Sequence, residues 1–107
     1  MNTGATHSDA FRAIADPTRR AILDLLRHGQ RSVSELAEPF RMTQPAVSQH
    51  LRVLRDAGLV SQQRLGRRQI YRIVPEPLRH VYGWLAQYER FWHRKLDALG
   101  TYLGRKK

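Results

Sequence analysis

Two helix starts stand eleven residues apart near the middle of the chain, at Ser32 and Thr43, and this spacing constrains the fold more than any other feature. In Ser32-Val33-Ser34-Glu35 a hydroxyl and a carboxylate can each satisfy an orphan amide of the other, the reciprocal arrangement of a capping box. The helix it opens is short and reaches about Phe40, with Leu36, Ala37 and Phe40 inward. Thr43 then caps a second helix whose first turn holds Gln44 and Pro45; proline is tolerated there because the amides of a first turn have no intrahelical acceptor. Only Phe40-Arg41-Met42-Thr43 remains to join the two, which predicts a helix-turn-helix. Val47, Leu51 and Leu54 form one stripe of the second helix, leaving Gln44, Ser48, Gln49, Arg52 and Arg55 on the other side, and Gly58 supplies a left-handed stop.

What flanks this unit extends the same reading. Upstream, Asp9 caps a short helix with Phe11, Ile14 and Ala15 on one side, and Asp16-Pro17 opens another that places Ile22, Leu23, Leu25 and Leu26 in the core and stops at Gly29. Downstream, Leu59 to Arg64 and Arg67 to Ile73 are extended stretches about Leu65-Gly66, which predicts a hairpin. From Pro75 to about Leu103 the spacing of Val81, Leu85, Tyr88, Trp92, Leu96, Leu99 and Leu103 predicts a long helix with an apolar seam, bent near Gly83 and broadened by Trp84 and Phe91. The fold class is therefore mainly α with a small β-hairpin, a winged helix-turn-helix of order ααααββα over residues 9–104, behind a loose tail at 1–8. A helix with so wide an apolar side exceeds what a chain of 107 residues can cover by itself, so a second copy is expected to cover it and the protein to be a homodimer.

The net charge of +10 favours a polyanionic partner, and its placement says more than its sum. Through Phe40 the signs cancel, Arg12, Arg19, Arg20, Arg27 and Arg31 standing against Asp9, Asp16, Asp24, Glu35 and Glu38. From Arg41 to Arg72 stand Arg41, Arg52, Arg55, Arg64, Arg67, Arg68 and Arg72, opposed only by Asp56. All are arginine, whose planar fork suits phosphate and guanine edges better than an ammonium does. Uncharged Gln44, Ser48 and Gln49 at the start of the outer face can read base edges, while Arg41, Arg52 and Arg55 flank them where phosphates pass. Arg64, Arg67 and Arg68 gather about Gly66 at the hairpin tip, a wing able to follow the backbone or enter a narrow minor groove. The expected partner is double-stranded DNA.

Four segments together resemble the ArsR family of winged-helix repressors: Ala15-Asp16-Pro17-Thr18-Arg19-Arg20-Ala21-Ile22-Leu23, Thr43-Gln44-Pro45-Ala46-Val47-Ser48-Gln49-His50-Leu51, Leu54-Arg55-Asp56-Ala57-Gly58-Leu59-Val60, and Gly66-Arg67-Arg68 ahead of Tyr71. The resemblance runs from about Phe11 to Leu103. It implies a dimer built from the first and last helices, Phe11 included, that binds an inverted-repeat operator near its own promoter and represses by occlusion. It also places Gln44, Ser48, Gln49 and His50 on the reading helix and Arg67 and Arg68 on the wing. The sequence departs from the family's metal sensors. It has no cysteine for the pair on the short helix, and the last helix lacks the zinc pattern, with Glu76 and His80 four apart and Leu96 standing where an acid is needed after His93. The stretch from Arg90 to Leu99 resembles a non-metal branch instead. No metal and no cofactor is expected, and the sequence names no small-molecule effector.

Other classes fit less well. A nucleoid-type protein binding DNA without preference would use the charge and the wing, but it has no need of the uncharged Gln44, Ser48 and Gln49 face. An enzyme would need a nucleophile and base at matched spacing or a phosphate loop, and neither is present; His50 reads as a structural or phosphate-contacting residue, His80 and His93 as ordinary residues of the dimerising helix. No run approaches the length of a membrane span and Met1 to Ser8 lacks a secretory pattern, so a cytoplasmic protein is expected.

Overall fold

Side chains that take up free amides mark the helix starts, in a computed structural model that describes residues 9–94. A short helix α1 covers 9–13. Asp16 Oδ2 accepts from the Arg19 amide at 3.0 Å and opens α2, Pro17–Leu26. Ser32 Oγ accepts from the Glu35 amide at 3.3 Å while the Ser32 amide donates to Glu35 Oε1 at 2.8 Å, so both halves of the capping box are made at the start of α3, Val33–Phe40. Thr43 Oγ1 accepts from the Ala46 amide at 3.3 Å and opens α4, Gln44–Asp56. Each such cap stabilises its helix by about 1 kcal/mol relative to alanine.

Three strands form an antiparallel sheet in the order β1-β3-β2, with β1 at Arg31–Ser32, β2 at Val60–Leu65 and β3 at Arg68–Ile73. The tip is a two-residue loop, Gly66-Arg67, closed by the Leu65 and Arg68 pair, one residue later than the sequence suggested. Gly66 has φ +64° and Arg67 does not share a positive φ, which is the pattern of a type II′ turn matched to the strand twist. The edge strand β1 is absent from the sequence reading; it exists by pairing Arg31 with Tyr71 and Ser32 with Ile70, and it fastens the start of α3 to the wing.

Beneath these elements lies one core in which Ile22, Leu26, Leu36, Val47, Leu51, Leu54 and Leu59 are fully buried. The chain beyond the sheet is less regular than the predicted long helix. A helix α5 spans Leu78–Ala86, Gln87 and Tyr88 form a turn, and a second run α6 covers 89–94. The interruption falls past the expected bend at Gly83, which stays helical. Its physical sign is a tightening of the ladder: the Gln87 and Tyr88 amides reach back three residues, to Trp84 at 3.2 Å and Leu85 at 2.9 Å. Leu96, Leu99 and Leu103, and the tail at 1–8, lie outside the described residues.

The caps give the fold a pH dependence. The Arg19 amide bonded to Asp16, helped by the Arg19 and His50 charges, holds that carboxyl below 3.8, and the Ser32 amide and hydroxyl with Arg68 hold Glu35 below 4.5. A carboxyl whose folded value lies below its unfolded one leaves the unfolded chain binding more protons between the two. Stability is then complete above the unfolded values and lost as pH falls through the folded ones. Urea unfolding midpoints should be level from pH 7 to about 5.5 and drop below 4.5, and Glu35→Gln should flatten part of that drop. Equal midpoints at pH 7 and pH 3 would contradict the assignment.

Candidate nucleic-acid interface

Helix α4 is held by its inner stripe, Val47, Leu51 and Leu54, so its remaining faces are fixed in direction. Thr43, Gln44, Pro45, Ser48, Gln49, Arg52 and Arg55 are all exposed, as is Arg41 in the preceding turn. Gln44, Ser48 and Gln49 make no side-chain hydrogen bond with any described residue, which leaves their donors and acceptors available to base edges. Arg41 sits at φ +55° and ψ +36°, the left-handed position that ends α3, with its amide bonded to Glu38 and that of Met42 to Ala37. This double closure is the Schellman arrangement, usually completed by glycine.

His50 is the one predicted site residue on α4 that the body draws inward. Its side chain is 22 % exposed, and Nδ1 lies 3.9 Å from Asp16 Oδ2 and 3.4 Å from Arg19 Nη1. Since arginine only donates, a bond to Arg19 makes Nδ1 the acceptor and puts the ring proton on Nε2. Arg19 also donates through Nε to the Ala13 carbonyl at 2.7 Å and through Nη2 to the Arg12 carbonyl at 3.2 Å, so His50 braces α4 against the junction of α1 and α2.

The wing arginines differ in their engagement. Arg64 Nε donates to the Gly66 carbonyl at 3.2 Å, and Arg68 Nη2 lies 3.3 Å from Glu35 Oε1, back toward the start of α3. Arg67 has no such partner among the described residues and stands free at the tip. Together with Ser34, Gln44, Arg68 and Gln69 it lines an open cleft of about 220 Å³ between α3, the first turn of α4 and the wing. Sequence reasoning missed Gln62 and Gln69. Arg55 Nη1 donates to Gln62 Oε1 at 2.6 Å and Gln62 Nε2 to Gln69 Oε1 at 2.7 Å. Counting alternation outward from the loop would have placed both glutamines on one face of the hairpin. Arg72, on the other face, donates to Gln63 Oε1 at 3.3 Å and Gln30 Oε1 at 3.4 Å.

The aromatic side chains of the last helices form a connected exposed strip. Phe11 meets Trp84 edge to face at 5.8 Å, Trp84 meets Tyr88 at 5.2 Å, and Tyr88 meets Phe91 at 6.3 Å. Trp84, Tyr88, Phe91 and Trp92 are exposed, Leu85 is half-buried, and Val81 is already buried within its own chain. Among the described residues no group of three His, Cys, Asp or Glu could hold a metal ion, and no helix is long and apolar enough to cross a membrane.

Comparison with known proteins agrees with this geometry. Residues 16–62 match the family described as "Bacterial regulatory protein, arsR family". The chain is 42% identical over 98 residues to the HTH-type transcriptional regulator Rv2034 of Mycobacterium tuberculosis, covering 92% of this chain and 89% of that one. It is 36% identical over 81 residues to the transcriptional repressor SdpR of Bacillus subtilis, covering 76% of this chain and 90% of the relative. A solved homodimeric winged helix-turn-helix DNA-binding domain, Mb0332 from Mycobacterium bovis, superposes with a TM-score of 0.68 at 31% identity, covering 86% of this chain and 87% of that one. With the helix-turn-helix, the wing and near full-length similarity to such regulators, the chain belongs to the ArsR family of winged helix-turn-helix transcriptional regulators.

Proposed function

We propose that the protein is a homodimeric repressor that binds an inverted-repeat operator near its own promoter, acting in the cytoplasm with residues 9–104 as one DNA-binding and dimerising unit. The observation that carries this reading is the outer face of α4, where Gln44, Ser48 and Gln49 are exposed, without side-chain partners among the described residues, above a fully buried stripe. In a dimer the two copies of α4 enter successive major grooves, about 34 Å apart, and each wing lies against the flanking backbone. Phe11, Trp84, Leu85, Tyr88, Phe91 and Trp92 face the partner. The relatives support the finer points, SdpR by being named a repressor and the Mycobacterium bovis domain by being homodimeric.

Binding to a randomised duplex pool, followed by competition, tests the proposal. The enriched duplex should be a pseudo-palindrome preferred over random DNA by about 10³-fold or more, with affinity falling steeply as salt rises from 50 to 200 mM. Equal affinity for enriched and random duplex would overturn specific repression and leave a non-specific DNA-binding protein.

A further inference from the structure

The chain of hydrogen bonds from Arg55 through Gln62 to Gln69 has a direction that the chemistry of its first member imposes. A glutamine amide can normally be turned either way, because its oxygen and nitrogen ends are nearly the same size. A guanidinium has only donors. Arg55 therefore requires the oxygen of Gln62, which it meets at 2.6 Å. The nitrogen of Gln62 is then the free end, and the Gln69 atom 2.7 Å away must be an acceptor, its oxygen. The Gln69 amide nitrogen is what remains, carrying two N–H groups at the margin of the cleft.

That cleft is rich in donors. Among the described residues Arg67 and the Gln44 side chain have no partner, and the Ser34 hydroxyl shares a contact with Ser32 at 3.2 Å. The nearby carboxylate of Glu35 is already engaged by the Ser32 amide at 2.8 Å and by Arg68 at 3.3 Å, and Glu35 does not line the space. Two elements expected to touch DNA, the first turn of α4 and the wing, form two of its walls.

We propose that this cleft seats one backbone phosphate of bound DNA, with Arg67 and the Gln69 amide as direct ligands and Gln62 as a positioning residue that keeps the Gln69 N–H groups turned toward it. This rests on the DNA-binding reading above and adds to it a particular phosphate and a reason for the two glutamines. Reading helix and wing then register on the duplex as one piece, since Arg55 on α4 sets the orientation of a ligand on β3.

The test uses the full-length protein, the enriched duplex, and a random duplex of the same length. Gln69→Leu should weaken binding to both by about tenfold, because a bond to a charged phosphate is lost and a phosphate carries no sequence information. Gln62→Leu should weaken binding about threefold by itself and by nothing further in the Gln69→Leu background, the signature of two residues acting in series. Replacing single phosphates by neutral methylphosphonates should reveal one position per half-site that costs the natural protein about tenfold and costs Gln69→Leu less, since only the Arg67 contact is then left to lose. Unfolding midpoints of both variants should match the natural protein, since these side chains are exposed. Additive losses at positions 62 and 69, unchanged affinity for Gln69→Leu, or equal methylphosphonate losses in both proteins would overturn the proposal. If no duplex is enriched, specific repression fails while the phosphate seat is still decided on random DNA; if enrichment succeeds and the coupling is absent, only the seat fails.

Discussion

Leu51→Ala should lower the stability of the fold by about 2–5 kcal/mol and abolish DNA binding at temperatures where the natural protein is fully active. Leu51 is fully buried at the middle of the α4 stripe, between Val47 and Leu54, in the same cluster as Ile22, Leu36 and Leu59. Truncation removes its transfer energy and leaves a cavity that elements from four parts of the chain would have to close together. A domain of this size has about 5–15 kcal/mol in all, so the loss is a large share. In a thermal melt followed by circular dichroism the midpoint should fall by roughly 10–30 °C. Gln49→Ala, one helical face away on an exposed position, should leave the midpoint within about 2 °C and act on DNA selectivity alone. A Leu51→Ala midpoint within a few degrees of the natural one would show that α4 is held by something other than its buried stripe.

The second large effect concerns assembly. Trp84 is 48 % exposed and Phe91 55 % exposed on a strip that also includes Phe11 and Tyr88. Aromatic side chains carry the largest apolar payload per residue, and a strip of them left in water is strongly unfavourable unless a partner covers it. A Trp84→Glu and Phe91→Glu double variant should sediment as a single chain at micromolar concentration with its α4 and wing intact. Its affinity for the palindromic duplex should drop by about 10²-fold or more, because two linked reading heads bind as one event and separated heads do not. A double variant that still sediments as a dimer would move the interface elsewhere.

Much of the architecture was legible because it is written in near neighbours. The caps at Asp16, Ser32 and Thr43 each join residues three apart, and the stripe of Val47, Leu51 and Leu54 lies within a single helix. What escaped depends on distant partners. Arg31 and Ser32 have no strand signal of their own and become β1 because Tyr71 and Ile70 lie opposite them. Gly83 looked like the weak point of the last helix, yet a glycine can hold helical angles at a cost of only about 1 kcal/mol, and the break falls at Gln87 and Tyr88 instead. The outer residues of α4 could be named from helical period, whereas the inward turn of His50 required knowing that Asp16 and Arg19 stand across from it. The glutamine chain required the hairpin register, which the sequence placed one residue too early.

Arg41 offers a lesson for anyone wishing to make this protein more robust. A side chain in the left-handed region costs about 1–2 kcal/mol that glycine avoids, and a search for stabilising changes would choose that position early. The gain would come at the expense of a cation standing beside the reading helix, so the most comfortable version of the turn and the most adhesive one are different molecules.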